Sequence, residues 1–128
     1  MYKQSLKKVI ALVSFISIVF IMFGFLKNLF SQVDETEVLQ ALGGKPFLVD
    51  VRTPDEFASG SVQGAINIPL DELPERISEF SGKESVVVFC RSGNRSAQAK
   101  VILDRSGVPN VCNGGTWEQV AALKKASK

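Results

Sequence analysis

From Val9 to Leu26 the chain runs 18 residues, VIALVSFISIVFIMFGFL, without a charge. Apolar residues fall on every side of a helical wheel, so a helix here keeps no face for water. At ~1.5 Å per residue it extends ~27 Å, about the thickness of a bilayer's hydrocarbon core. Lys3, Lys7 and Lys8 precede the run, Lys27 follows it, and the first acids are Asp34 and Glu35. The positive-inside rule then predicts a cytoplasmic N-terminus and an exported body. A buried core helix is the competing reading, and it is disfavoured because the rest of the chain reads as complete without it. A cleaved signal peptide is the second competitor. Its apolar core normally runs only ~7–15 residues and ends at a small-x-small site. Residues 27–31 offer no Ala-x-Ala, and Leu29 and Ser31 make a poor substitute. No Cys follows closely enough for a lipid-anchored terminus. We therefore expect residues 1–30 to be a lysine-rich tip and a retained single-pass anchor, holding residues 9–26 in the membrane. A body released to the periplasm or medium is the alternative.

Charge divides the same way. Residues 1–30 carry four lysines, no acid and five of the nine Phe, whereas residues 31–128 carry 11 Lys/Arg against 13 Asp/Glu. The formal +2 is thus +4 on the head and −2 on the body. A body without net positive charge lacks the field that a general nucleic-acid binder needs. His is absent and Cys occurs twice. That excludes His acid–base chemistry, a Cys/His zinc site and a disulfide framework. No metal and no cofactor are expected.

Residues 31–128 alternate short strands with short helices and have room for one domain. A polar stretch opening at Ser31 leads to Val38, Leu39 and Leu42 at helical spacing, stopped by Gly43-Gly44. FLVDV at 47–51 predicts a buried strand. Thr53-Pro54-Asp55-Glu56 has the pattern of a capping box with proline in the first turn. AINIP at 65–69 predicts a second strand, and Leu73, Ile77 and Phe80 predict one face of a helix. VVVFC at 86–90 is the strongest strand signal. Ser96 to Arg105 predicts a helix closed by Gly107, Asn110-Val111-Cys112 a last short strand, and Thr116 the cap of a final helix carrying Trp117, Val120, Ala121 and Leu123. Apolar strands alternating with helices predict an α/β fold with a mostly parallel sheet covered on both faces, and sites at the carboxyl ends of its strands.

Cys90 stands at such an end. It finishes the most apolar strand, and Arg91-Ser92-Gly93-Asn94-Arg95 lead from it into a helix. Such a loop can curl its backbone N–H groups inward as an anion nest, with Gly93 free of Cβ restriction. Arg91 and Arg95 add positive charge. Each effect favours thiolate over thiol and lowers the pKa from its usual ~8.5. The same cradle suits an anionic substrate and a negatively charged covalent adduct, and no neighbouring base is needed.

LVDVR (48–52), Glu56-Phe57 with Gly60 and GAINIP (64–69), VFCRSGNRS (88–96) and Asn113 to Trp117 together resemble the single-domain rhodanese family over roughly residues 33–125. The resemblance implies a five-stranded parallel sheet flanked by helices. It also implies a sulfurtransferase in which Cys90 takes a sulfane sulfur from thiosulfate or a persulfide donor and passes it to cyanide or a thiol. The amides of residues 91–95 would cradle that sulfur, and the Arg95 side chain would bind the anionic donor. Asp50, Arg52 and Glu56 match positions that look structural, an ion-pair group holding the first strand–helix loop. Two departures stand out. The usual Gly-His-Ile is Gly60-Ser61-Val62, and Cys112-Asn113 displaces the usual bulky apolar residue before Gly-Gly.

Rival readings bear on the same residues. Cys90 alone reads equally as a small apolar strand end, and Arg91 as a solvated cation. Cys112 reads first as a core residue, or else as a disulfide or resolving partner for Cys90 in an oxidising compartment. Trp117 reads first as core packing, second as a pocket wall; Lys124, Lys125 and Lys128 read as a solvated end. A Cys-dependent phosphatase or arsenate reductase is disfavoured, because its clamping Arg belongs six positions after the Cys, where Ser96 stands. A non-catalytic rhodanese-like module for binding or redox sensing at the membrane is the alternative outside enzymes.

Overall fold

In a computed structural model, residues 2–30 and 33–128 are described, so the expectations attached to Ser31 lie outside the described residues. The chain divides into two compact units, Met1–Ser31 and Gln32–Lys128. The first is one helix, α1 (Tyr2–Phe30). Its stretch Ser5–Phe23, of mean hydropathy 2.3, is long and apolar enough to cross a membrane and has none of its surface buried within the protein. Phe15, Ile16, Phe20, Ile21 and Phe23 are each more than half exposed. With no polar face to turn outward, the helix matches hydrocarbon on all sides rather than water.

The second unit is a parallel sheet with helices on both faces. Its strands are β1 (Pro46–Asp50), β2 (Ile66–Asn67), β3 (Ser85–Cys90) and β4 (Val111–Thr116), in the order β2-β1-β3-β4 with every pair parallel. Its helices are α2 (Glu35–Leu42), α3 (Pro54–Ala58), α4 (Asn94–Arg105) and α5 (Trp117–Ala126). The α/β expectation holds, but the sheet has four strands among the described residues, not five. The segment before β1 is the helix α2, whose start is fixed by the Asp34 carboxylate accepting the N–H groups of Thr36 at 3.0 Å and Glu37 at 3.4 Å. Satisfying those amides commits the segment to helix.

Three local expectations need correction. Residues 73–80 are two 3-10 turns, Leu73–Glu75 and Ile77–Phe80, broken at Arg76. Pro74 fits only a first turn, and the segment is too short to hold an α-helix against that limit. Leu73 and Phe80 are buried all the same. The helix expected from Ser96 starts two residues earlier, at Asn94. The last strand does not stop at Cys112 but runs through both glycines to Thr116.

Strand geometry explains why 86–90 reads as an unbroken apolar run. Alternate residues of the central strand β3 face opposite sides. Val86, Val88 and Cys90 join Val49, Val51, Leu73, Phe80, Ala99 and Leu103 on one side. Val87 and Phe89 join Val38, Leu48, Val62, Cys112 and Val120 on the other. Gly114 is where the register of β3 with β4 slips, Val88 facing Asn113 and Phe89 facing Gly115. A Cβ on Gly114 would lie 2.5 Å from Val120 Cγ2 and 2.9 Å from Val87 Cγ1. The glycine therefore marks a bulge pressed against the core rather than a turn. Gly114→Ala is expected to lower the unfolding free energy by about 1–3 kcal/mol in denaturant titration. Gly43→Ala, whose Cβ would meet nothing nearer than 3.5 Å, should stay within about 0.5 kcal/mol.

Candidate active site

β3 delivers Cys90 to the carboxyl edge of the sheet, opposite Thr116 of β4. The chain turns there through Arg91, Ser92 and Gly93 into α4. Gly93 is the N-cap residue, with φ 91° and ψ −11°, and has no side chain of its own to cap the helix; the Asn94 N–H turns to the Ser92 hydroxyl at 3.4 Å. The first amides of an α-helix have no partner inside it. Several amides around this turn point to the sulfur. The Gly93 N–H donates to Cys90 Sγ at 3.0 Å, and the Ser96 hydroxyl lies 3.5 Å from it. Burial pushes the thiol pKa up. The Ser96 hydroxyl and the backbone amides of Ser96, Ser92 and Gly93 push it down and prevail, leaving Cys90 below its ordinary value. The uncapped helix end adds its own positive potential.

Ser96 is a residue that the sequence reading did not place in the site. It is fully buried, and its hydroxyl also reaches Gly93 O at 3.0 Å and Gly115 O at 3.5 Å. One hydroxyl proton serves these acceptors in turn. Beside a thiol it bonds a carbonyl and accepts the S–H; beside a thiolate it can rotate to donate to sulfur. Its signal in the sequence was its position, one helical turn past the loop glycine. Asn113 ties the loop to β4. Its Oδ1 accepts the Gly115 N–H at 2.9 Å and its Nδ2 reaches Gly93 O at 3.5 Å. An apolar residue at position 113 could make neither bond, which accounts for the departure seen there.

The expected residues 90–95 are contiguous, but their side chains part company. Arg91, Ser92 and Asn94 are exposed. Arg95 is half-buried and bound in two contacts to Glu56, Nη1–Oε1 at 2.7 Å and Nη2–Oε2 at 3.0 Å. Glu56 therefore does more than hold its own loop. Its pKa falls to about 2, chiefly through the Arg95 hydrogen bonds. The Asp50–Arg52 pair is as structural as expected. Both residues are buried, with Arg52 Nη2 at 2.6 Å from Asp50 Oδ2 and 2.6 Å from Gly60 O. The Ser61 hydroxyl donates to the same Asp50 oxygen at 2.7 Å, so the residue standing for the usual His keeps a polar link to this pair. Trp117 is the platform under Arg52, whose Cζ lies 5.3 Å from the ring centroid.

Cys112 is not a partner for Cys90. Both are free thiols. Cys112 faces Val87 in the register, three residues short of Cys90, and packs on the opposite side of the sheet. Three strand residues span roughly 10 Å, beyond the reach of a disulfide. Burial raises the Cys112 thiol to about 11. Among the described residues no cluster of His, Cys, Asp and Glu suits a metal ion.

With this geometry in view, comparison with known proteins is informative. A family model described as Rhodanese-like domain matches residues 34–120. The chain belongs to the rhodanese-like family. It is 42% identical over 78 residues to thiosulfate sulfurtransferase PspE of Escherichia coli, covering 59% of this chain and 75% of that protein. It is 38% identical over 85 residues to a sulfurtransferase of Allochromatium vinosum, covering 65% and 79%. Among solved structures, a rhodanese with anions from E. coli superposes with a TM-score of 0.56 at 41% identity, covering 59% of this chain and 92% of that one. The human single-domain sulfurtransferase TSTD1 superposes with a TM-score of 0.53 at 29% identity, covering 66% and 88%.

The two thiols of this rhodanese-like chain should separate by titration. Iodoacetamide labelling of Cys90 is expected to rise with a midpoint below that of an ordinary thiol, because a lowered pKa ionises at lower pH. Cys112 should stay unlabelled until the pH nears 11. S96A should move the Cys90 midpoint upward.

Proposed function

We propose that this protein is a thiosulfate:cyanide-type sulfurtransferase acting through a Cys90 persulfide. The observation that carries the reading is the Gly93 N–H on Cys90 Sγ at 3.0 Å, at the mouth of an uncapped helix. The Cys90 thiolate attacks the outer sulfur of thiosulfate. The new Sγ–S bond forms as the old S–S bond breaks, and sulfite leaves with the bonding pair. Cyanide or a thiolate then attacks the terminal sulfur of the persulfide, forms its own bond to it, and returns the electron pair to Cys90. The amides of residues 91–95 and the positive end of α4 stabilise negative charge on sulfur throughout. Exposed Arg91 adds positive charge at the mouth, while Arg95 reaches a donor only in competition with Glu56. Family membership and the named relatives support sulfur transfer as the reaction class.

Incubating the purified protein with thiosulfate and cyanide is expected to yield thiocyanate, and thiosulfate alone should add one sulfur to Cys90 in the intact mass. Cys90→Ser should abolish both. One observation favours a second reading. Cys90 is 0% exposed, so the loop must move outward to admit a donor. A non-catalytic binding module would leave the loop closed; such a protein gains no sulfur mass, and its partner binding survives Cys90→Ser.

We also propose that α1 is a retained anchor, with the N-terminus cytoplasmic and the catalytic unit on the exported side. The uncharged run of residues 9–26 and the lysines in the first turns of α1 support this. The intact mass of membrane-extracted protein is expected to include residues 1–30, and protease added outside spheroplasts should digest the second unit. A mass lacking the head would replace the anchor with a cleaved signal peptide.

A further inference from the structure

We propose that Glu56 is a specificity-determining residue: by holding Arg95 in a neutral pair, it biases the site towards singly charged sulfane donors over dianionic thiosulfate. The inference rests on the sulfurtransferase reading above. Three arginines belong to this part of the fold. Arg91 is exposed and forms no ion pair among the described residues. Arg52 is matched by buried Asp50, and Arg95 is matched by Glu56. The resting mouth therefore offers one uncompensated cation, although the loop sequence carries two. A donor with two negative charges meets the Glu56 carboxylate beside the very guanidinium that would bind it. A singly charged thiosulfonate or persulfide is penalised less.

The pair is built rather than incidental. Its partners come from β1–α3 and from α4, 39 residues apart, and both are only about one-third exposed, at 32% and 28%. The Glu56 carboxylate is also held from behind. It accepts the Thr53 hydroxyl at 3.1 Å and the Thr53 N–H at 3.3 Å in a capping box. A carboxylate fixed by four hydrogen bonds loses little conformational freedom to its ion pair, unlike a mobile surface acid. It also stays ionised down to about pH 2.

The capping box allows the charge to be removed alone, because Gln serves the box as well as Glu. Full-length protein in detergent would be assayed with thiosulfate, a dianion, and methanethiosulfonate, a monoanion that presents the same kind of sulfane sulfur. The readout is the ratio of kcat/KM for thiosulfate to that for methanethiosulfonate. E56Q is expected to raise this ratio by about tenfold at low salt, with the gain shrinking as ionic strength rises. R95Q, which leaves Glu56 without its cation, should lower the ratio. E56D keeps the charge on a shorter stem and should stay with the wild type. A ratio unmoved by E56Q, or a fall in both donors alike, would make Glu56 a structural residue only and overturn the inference. If wild-type protein takes sulfur from neither donor, the sulfurtransferase reading itself fails. If wild-type transfer is intact and the ratios do not move, only the role of Glu56 fails.

Discussion

At the start of α4 the Gly93 N–H is aimed at the sulfur of Cys90, which receives it. This arrangement places demands on the rest of the second unit. The sulfur must arrive at the carboxyl edge of a strand, so β3 lies in the middle of the sheet, covered on both sides. The loop from strand to helix must turn within three residues, so Gly93 takes a left-handed conformation. The loop must also lie close to the neighbouring strand. Gly115 provides that room: a Cβ on Gly93 would sit 3.5 Å from the Gly115 Cα. Asn113 then fastens the loop to β4 through Gly93 O, and Ser96 does so through Gly115 O. The two glycines, the buried Asn and the buried Ser are one device for aiming amides at one atom.

The two cysteines show how much of this depends on amides and how little on burial. Both thiols are buried and free. Among the described residues, the hydrogen bond at Cys112 runs from its sulfur to the Val86 carbonyl at 3.5 Å, an acceptor that can take a proton's bond but cannot stabilise negative charge. Burial then dominates, aided by the charge of Glu37 and only weakly opposed by Lys100, and the pKa climbs to about 11. Cys90 feels the same burial but faces donors, and its shift has the opposite sign. Donor geometry, not depth, decides which thiol ionises more readily.

Much of this was legible in the chain. The period-two burial of β3, the capping boxes at Thr53 and Thr116, and the position of Cys90 before a helix all follow from local chemistry, and local rules reach that far. What escaped was long-range. That Glu56 would meet Arg95 rather than the Asp50–Arg52 pair depends on how α3 and α4 are brought together across 39 residues. That Gly114-Gly115 belong to a strand depends on Val87 and Val120 packing against Gly114. In both cases a residue familiar for a local role, a cap or a turn, is fixed by a neighbour distant in sequence. The fifth strand implied by the resemblance is not found among the described residues, where the segment before β1 is the Asp34-capped helix α2.

Loop length bears on the kind of anion the cradle accepts. A tetrahedral phosphate needs donors around three oxygens and a guanidinium reaching over them. In this chain the residue six places after the Cys is Ser96, buried beneath the loop with its hydroxyl on the sulfur side. The nearest guanidinium, on Arg95, is turned aside to Glu56. The remaining donors converge on a single point, the one occupied by Sγ. That arrangement fits charge concentrated on one sulfur, or on a second sulfur bonded to it, far better than charge spread over three oxygens. A cradle focused on one atom favours sulfur transfer over phosphate chemistry, and Ser96 below with Glu56 beside it keeps that focus narrow.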